Sequence, residues 1–218
     1  MFRSPPIIET QYFPVIPFFA LGIHFGSLFL EANEHYQKGG FRNKTSILTA
    51  NGIHHLSVPL EKGKHQQSPI KEVKIDWSEN WSRVHWSSIR TAYGNAPYFL
   101  HYEDLVHEVF HRPPPYLYDF NQKIIRLIIN TLGLSINIIE TEEFIFPEEA
   151  QRDFRNLFKS QQKQSISWTP LPYSQVFQER YGFIENAGIL DLLFCLGPES
   201  ITYLVQLIEH NKIIMEAS

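Results

Sequence analysis

Two groups of residues in this chain have the types and spacing that chemistry needs. His107-Glu108-Val109-Phe110-His111 matches the pattern H-E-x-x-H. On a helix that spacing sets both imidazoles on one face as zinc ligands, with the glutamate beside the bound water as general base. Such a site would make a hydrolase. Pro113, Pro114 and Pro115 end the helix just past the second histidine, and a third ligand would have to come from a distant Glu142 or Glu143. Among ten histidines a bare match also arises by chance, the alternative being an exposed helical face with two solvated rings. The sequence therefore assigns no metal.

The second group is denser. Between positions 31 and 44, "EANEHYQKGGFRNK" supplies Glu31, Asn33, Glu34, His35, Tyr36, Gln37, Lys38, Arg42, Asn43 and Lys44. Arginine and lysine hold phosphate or carboxylate, histidine and glutamate exchange protons, and Gly39-Gly40 lets a backbone approach a ligand. The alternative is a solvated loop. From Thr10 to Leu30 the chain has no ionisable group of this kind except His24. That is nearly the length of a membrane span, but Pro14, Pro17, Gly22 and Gly26 interrupt it and no basic cluster flanks it. It reads as an apolar floor buried in protein, with a polar mouth after it.

The elements that must position these residues are legible in part. "PIIET" is a short strand, "YFPVIPFF" turns through two prolines into a helix over 18–27, and "SLFLEA" is a second strand. This strand, helix, strand order begins a βαβ unit. It places Gln11 and Tyr12 where the first strand ends, the position at which open α/β sheets take ligands. "HHLSVPL" and "SPIKEVKI" read as strands around a polar loop at 61–68. Capping boxes at Asp76/Glu79 and Asp119/Gln122 predict helices running to about Tyr93 and, with Gly133 as terminator, to about 132. A shorter helix is expected over 98–111, and "INIIETEEFIF" as a strand. From Pro147 on, helices are expected in "PEEAQRDFRNLF", "AGILDLLFCLG" and "PESITYLVQLIEH". The expected class is α/β: a Rossmann-like mixed sheet in the N-terminal two thirds, with a mostly helical C-terminal part. No repeat or linker divides the chain, so 1–218 reads as one domain, with an α/β part over 1–146 and a mainly helical part over 147–218.

Bulk properties narrow the partners. At 218 residues, 43% hydrophobic and 14% aromatic, the chain can bury a sizeable core. A formal net charge of -4 provides no basic footprint for nucleic acid. The single Cys195 sits in an apolar run and behaves as a small buried hydrophobe, which suits a reducing cytoplasm. The expected partner is a small-molecule substrate, with no nucleic acid, no membrane span and no cofactor.

Several of these stretches in order, from "QYFP" and "EANEHYQKGGFRNK" through "LSVPL", "VKIDWSENWSRVHWSSIRTAYGNAPYF", "DFNQKIIRLIINTLGL" and "PYSQVFQERYGF" to "ILDLLFCLGPES", resemble the WbqC-like family over nearly the whole chain. The resemblance implies a transferase modifying a sugar or sugar-linked precursor in bacterial surface polysaccharide (O-antigen) biosynthesis. It also implies a site built from Gln11, Tyr12, Glu34, His35, Gln37, Lys38, Arg42 and Asn43, with Tyr93, Asn95, Tyr98, Tyr173 and Gln175 as a second wall. Glu34 or His35 would be the acid/base group, and Lys38 and Arg42 would hold the anionic part of a donor such as a nucleotide-sugar. The tyrosines have an alternative as core aromatics. This chain resembles a short form: longer members carry a further stretch before the region of "PYSQVF", so a non-catalytic binding or scaffold role in the same pathway is the alternative, and the zinc hydrolase a third reading.

Overall fold

The computed structural model describes residues 5–61, 68–157, 168–185 and 187–211. The first unit is β1 (Ile7–Glu9), α1 (Ile16–Phe25) and β2 (Ser27–Glu31), with β1 and β2 parallel and Glu9 paired in register with Glu31. Thr10–Leu30 is thus no continuous helix. Proline near the start of α1 is pre-set for a first helical turn, and the apolar residues from Ile16 to Leu21 are all buried. A Cβ at Gly22 would lie 2.7 Å from the Ile136 side chain, so glycine is what lets α1 lie against the chain entering the third strand.

That third strand, β5 (Asn137–Glu140), pairs parallel to β2, which makes β2 the centre of a three-stranded sheet. Beside it stands a separate antiparallel hairpin, β3 (Lys44–Thr49) and β4 (Gly52–Ser57). The strand over 44–49 is not among the expected ones, although Asn51-Gly52 between two half-apolar runs is a strong hairpin signal and Gly52 has φ 92. Leu56 and Val58 are buried. Val73 and Ile75 are buried too, but "SPIKEVKI" is not a strand: Ile70–Glu72 forms a 3-10 turn, and only isolated bridges, Leu60 to Ile75 and Lys74 to Tyr116, follow. The loop expected at 61–68 lies mostly outside the described residues.

Helices α2 (Trp81–Tyr93), α3 (Phe99–Glu108) and α4 (Leu117–Thr131) follow. The two expected capping boxes do not form. Asp76 accepts instead from the Ser78 amide at 2.8 Å, a turn that precedes the helix, and α4 starts upstream of Asp119 at Leu117. Gly133 does terminate α4. At φ 60 it lets its own amide reach the Asn130 carbonyl and that of Leu134 reach Ile129, the paired bonds of a Schellman end.

After β5 the expected helix over "PEEAQRDFRNLF" is absent through residue 157. The chain instead runs beside β1: the Ile7 amide donates to the Arg152 carbonyl and the Phe154 amide to Ile7. The C-terminal helices are α5 (Gln178–Tyr181), α6 (Ile189–Leu196) and α7 (Ser200–His210), with α7 packed on α1. Ile189–His210 is long and apolar enough to cross a membrane by length and composition alone. A 3-10 turn at Gly197–Glu199 divides it, and its inner face lies in the core.

Candidate functional site

Polar side chains converge at the C-terminal ends of the parallel strands. Glu9 and Glu31 are the last residues of β1 and β2, and both are fully buried. Gln11 Nε2 donates to Glu9 at 3.1 Å while its oxygen accepts from the Val15 amide, so Gln11 ties the strand end to the start of α1. The Asn156 amide donates to the other Glu9 oxygen at 2.8 Å. Glu31 receives Thr141 Oγ1 at 2.7 Å and the Asn33 amide at 3.0 Å on one oxygen, and Arg155 Nη1 at 3.0 Å on the other.

The segment after β2 then splits by direction. Glu34 and Arg42 turn inward: Arg42 is fully buried, grips Glu34 through Nε and Nη2, and gives Nη1 to Asn156 Oδ1 at 2.9 Å. Burial raises the Glu34 carboxyl above its ordinary range, while the hydrogen bonds and charge of Arg42 pull the other way. Asn43 is buried as well, accepting from Tyr36 Oη and donating to the Val58 carbonyl. His35, Gln37 and Lys38 turn outward and are exposed. The inward set shapes the loop and the outward set faces solvent. Beside the start of α1 lies an apolar cavity of about 40 Å³ lined by residues including Val15, Pro17, Phe41, Trp168, Ala187 and Leu207.

Tyr12 does not open onto this site. It is fully buried and its hydroxyl lies 2.9 Å from His85 Nδ1 in α2. The His85 ring also bonds the Ser57 backbone, and burial lowers it to about 4, helped by the charge of His54. The ring is therefore neutral near pH 7.

The expected second wall divides too. Tyr93, Tyr173 and Gln175 do meet, but around a residue the sequence reading left out, Asp191 of α6. Tyr173 Oη and Gln175 Nε2 donate to Asp191 Oδ2 at 2.6 and 3.0 Å, and Tyr93 stands beside it, accepting from the Leu48 amide. Asp191 is fully buried, and burial raises its carboxyl against the pull of those bonds. Asn95 is exposed in the turn after α2, and the Tyr98 ring packs where a Cβ at Gly197 would fall. Neither joins the cluster.

The H-E-x-x-H match runs past the end of its helix, although the His107 and His111 rings still meet edge-on with centroids 4.7 Å apart. Helix α3 ends at Glu108, His107 stacks on Trp86, and Lys123 Nζ donates to the Glu108 and His111 carbonyls at 3.1 Å. A lysine there neutralises the negative end of the helix and would repel a dication. Among the described residues no three His, Cys, Asp or Glu side chains cluster as metal ligands.

Glu9, Arg155, Asn156 and Asp191 are the participants that sequence reasoning missed. Two signals were present: an acidic residue closing each of two apolar strands, and a single carboxylate inside "GILDLLFCLG". Nothing local marks Arg155 or Asn156.

The chain is similar to the uncharacterized protein Rv1507c of Mycobacterium tuberculosis (strain ATCC 25618 / H37Rv), 22% identical over 227 residues that span 93% of this chain and 97% of that protein. No solved structure matches it. The sequence profile of the WbqC-like protein family matches residues 10–167, a span that takes in Gln11, Glu34, Arg42 and Asn156 and stops short of Asp191. The chain belongs to the WbqC-like protein family.

Proposed function

We propose that the protein is a cytoplasmic transferase that modifies a sugar or sugar-linked precursor in bacterial surface polysaccharide (O-antigen) biosynthesis. The observation that carries this reading is the loop after β2. Its inward residues are locked to the strand ends, leaving His35, Gln37 and Lys38 exposed where an open α/β sheet takes its ligands. Lys38 is the cation for an anionic donor such as a nucleotide-sugar, and His35 the group that exchanges a proton with the acceptor hydroxyl. Glu34, Arg42 and Gln11 act as positioning residues. Asn43, buried under the loop, does the same.

The test is a thermal-shift screen of nucleotides, nucleotide-sugars, acyl-CoA and amino acids, because a ligand that binds the native state raises its apparent stability. A shift with a nucleotide-sugar that disappears in Lys38→Ala supports the reading. Absence of any shift in a folded protein removes it. One observation favours a second reading, a non-catalytic binding protein of the same pathway: the carboxylates and the guanidinium at the strand ends are all shut from solvent and paired with one another or with the backbone. That reading is favoured if a nucleotide-sugar binds but is never turned over with any sugar acceptor.

A further inference from the structure

The two oxygens of Glu31 are held by different parts of the chain. Oε1 is fixed by Thr141 Oγ1 and the Asn33 amide, both part of a rigid frame: the Thr141 amide bonds Leu30, and its Oγ1 and carbonyl take the Ala32 amide and Asn33 Nδ2. Oε2 is held by the Ile145 amide at 3.3 Å and by Arg155 Nη1 at 3.0 Å. The first donor lies inside the segment 142–151 and the second just past it. Its ends are anchored, at Thr141 by the bonds above and at Arg152–Phe154 by pairing with Ile7 and by the buried Phe154 ring.

Between the anchors few contacts to other described residues hold the chain. Residues 142–144 and 146–149 are exposed, and the internal bonds are a single turn in which the Glu149 and Ala150 amides reach Phe146 and the Phe146 amide meets the Glu149 side chain. The contact that closes it is aromatic. The Arg155 guanidinium lies 5.1 Å from the centroid of the Phe144 ring, and Phe144 packs edge-on against Phe146. Phe146 itself is 53% exposed. A loop anchored at both ends, mostly exposed and held among the described residues by the Ile145 bond and the Phe144 contacts, belongs to the low-stability end of a fold, where local opening occurs without global unfolding.

We propose that residues 142–151 form a flap, latched by Phe144 on Arg155, whose opening withdraws the Ile145 amide from Glu31 Oε2 and uncovers that oxygen, while Oε1 stays pinned and Arg155, tied to Asp153 beyond the flap, keeps its bond. The uncovered oxygen is an acceptor of fixed orientation at the C-terminal end of the central strand. What it takes is a ligand hydroxyl in place of the Ile145 donor. This deepens the transferase reading and rests on it for the identity of that ligand, but the flap itself is tested without any ligand.

Hydrogen exchange in wild type, Phe144→Ala and Glu31→Gln reads it directly. In wild type the amides of 142–151, Ile145 included, should exchange faster than those of Leu28 and Leu30. Phe144→Ala should speed the flap amides about twofold to fivefold, the worth of an exposed cation–π contact, and leave the strand amides unchanged. Glu31→Gln keeps an acceptor toward Thr141 and Asn33 but turns an NH2 toward Arg155 and Ile145, and should open the flap further. Brief chymotrypsin treatment should cut after Phe144 before any core site. Flap amides as slow as those of β2, or variants that speed flap and strand equally, would overturn the proposal. If the flap opens in a protein that binds no nucleotide-sugar, the flap stands and the transferase reading falls.

Discussion

Arg42 and Glu34 are clasped to each other, Nε and Nη2 of one on the two oxygens of the other, with 0% and 2% of their side chains exposed. Removing one partner of such a pair leaves a buried charge without compensation, at a cost of about 3–5 kcal/mol, whereas replacing both by apolar or neutral groups costs far less. Arg42→Met is therefore expected to lower the urea midpoint sharply, and Glu34→Gln combined with Arg42→Met to recover most of the loss. A double-mutant cycle by urea denaturation checks it, and additive single effects would mean that the pair is not coupled. The same result decides how Arg42 variants are read in binding assays, since lost binding would then follow from lost folding.

Tyr12 and His85 predict an acid sensitivity. The buried ring titrates at about 4 against an ordinary 6.5, so between those values the unfolded chain binds a proton that the folded one does not. Stability then rises with pH across that window and falls as pH drops through it, by up to about 3 kcal/mol in total. Midpoints measured from about pH 7 down to about pH 4 should decline, and His85→Gln should flatten the decline. An unchanged slope in the variant would assign the acid sensitivity to other groups.

The unit that carries the site was readable from the sequence for concrete reasons. Pro17, the uninterrupted apolar residues of α1 and the polar residues that follow Glu31 leave few alternatives to strand, helix, strand. The segment 147–157 was misread because its amphipathic pattern favours a helix locally. Pairing with Ile7, and the bonds that Arg155 and Asn156 make to carboxylates more than a hundred residues away in sequence, outweigh that preference. Asn156 even takes φ 63 to do so. Such long-range bonds leave no local pattern to read. In the loop after β2 the sequence revealed which residues are polar but not which way each faces, so Arg42 and Lys38 looked alike as cations although one is sealed in and the other exposed.

Asp191 should behave in the opposite sense to His85. Its carboxyl is raised by burial, so its favourable contribution is fully present below the unfolded value and is lost as pH rises through the folded one. In Asp191→Asn the side-chain oxygen can still accept from Tyr173 and Gln175, and nothing titrates. The variant should gain on wild type in melting temperature as pH is raised from about 4 to about 8. A constant difference across that range would show that Asp191 does not change charge there.

Lys123 separates the two readings of the histidine motif. If His107 and His111 were metal ligands, added zinc would raise the melting temperature by binding the native state, and removing the nearby ammonium in Lys123→Met would strengthen the effect. The geometry favours the other outcome. Lys123 serves the exposed carbonyls at the end of α3, a helix-end contact worth no more than about 1 kcal/mol. Zinc should therefore leave the melting curve of wild type unmoved, while Lys123→Met lowers it slightly with or without zinc. A zinc-dependent rise that His107→Ala or His111→Ala abolishes would restore the metal reading and require a third ligand from outside the described residues.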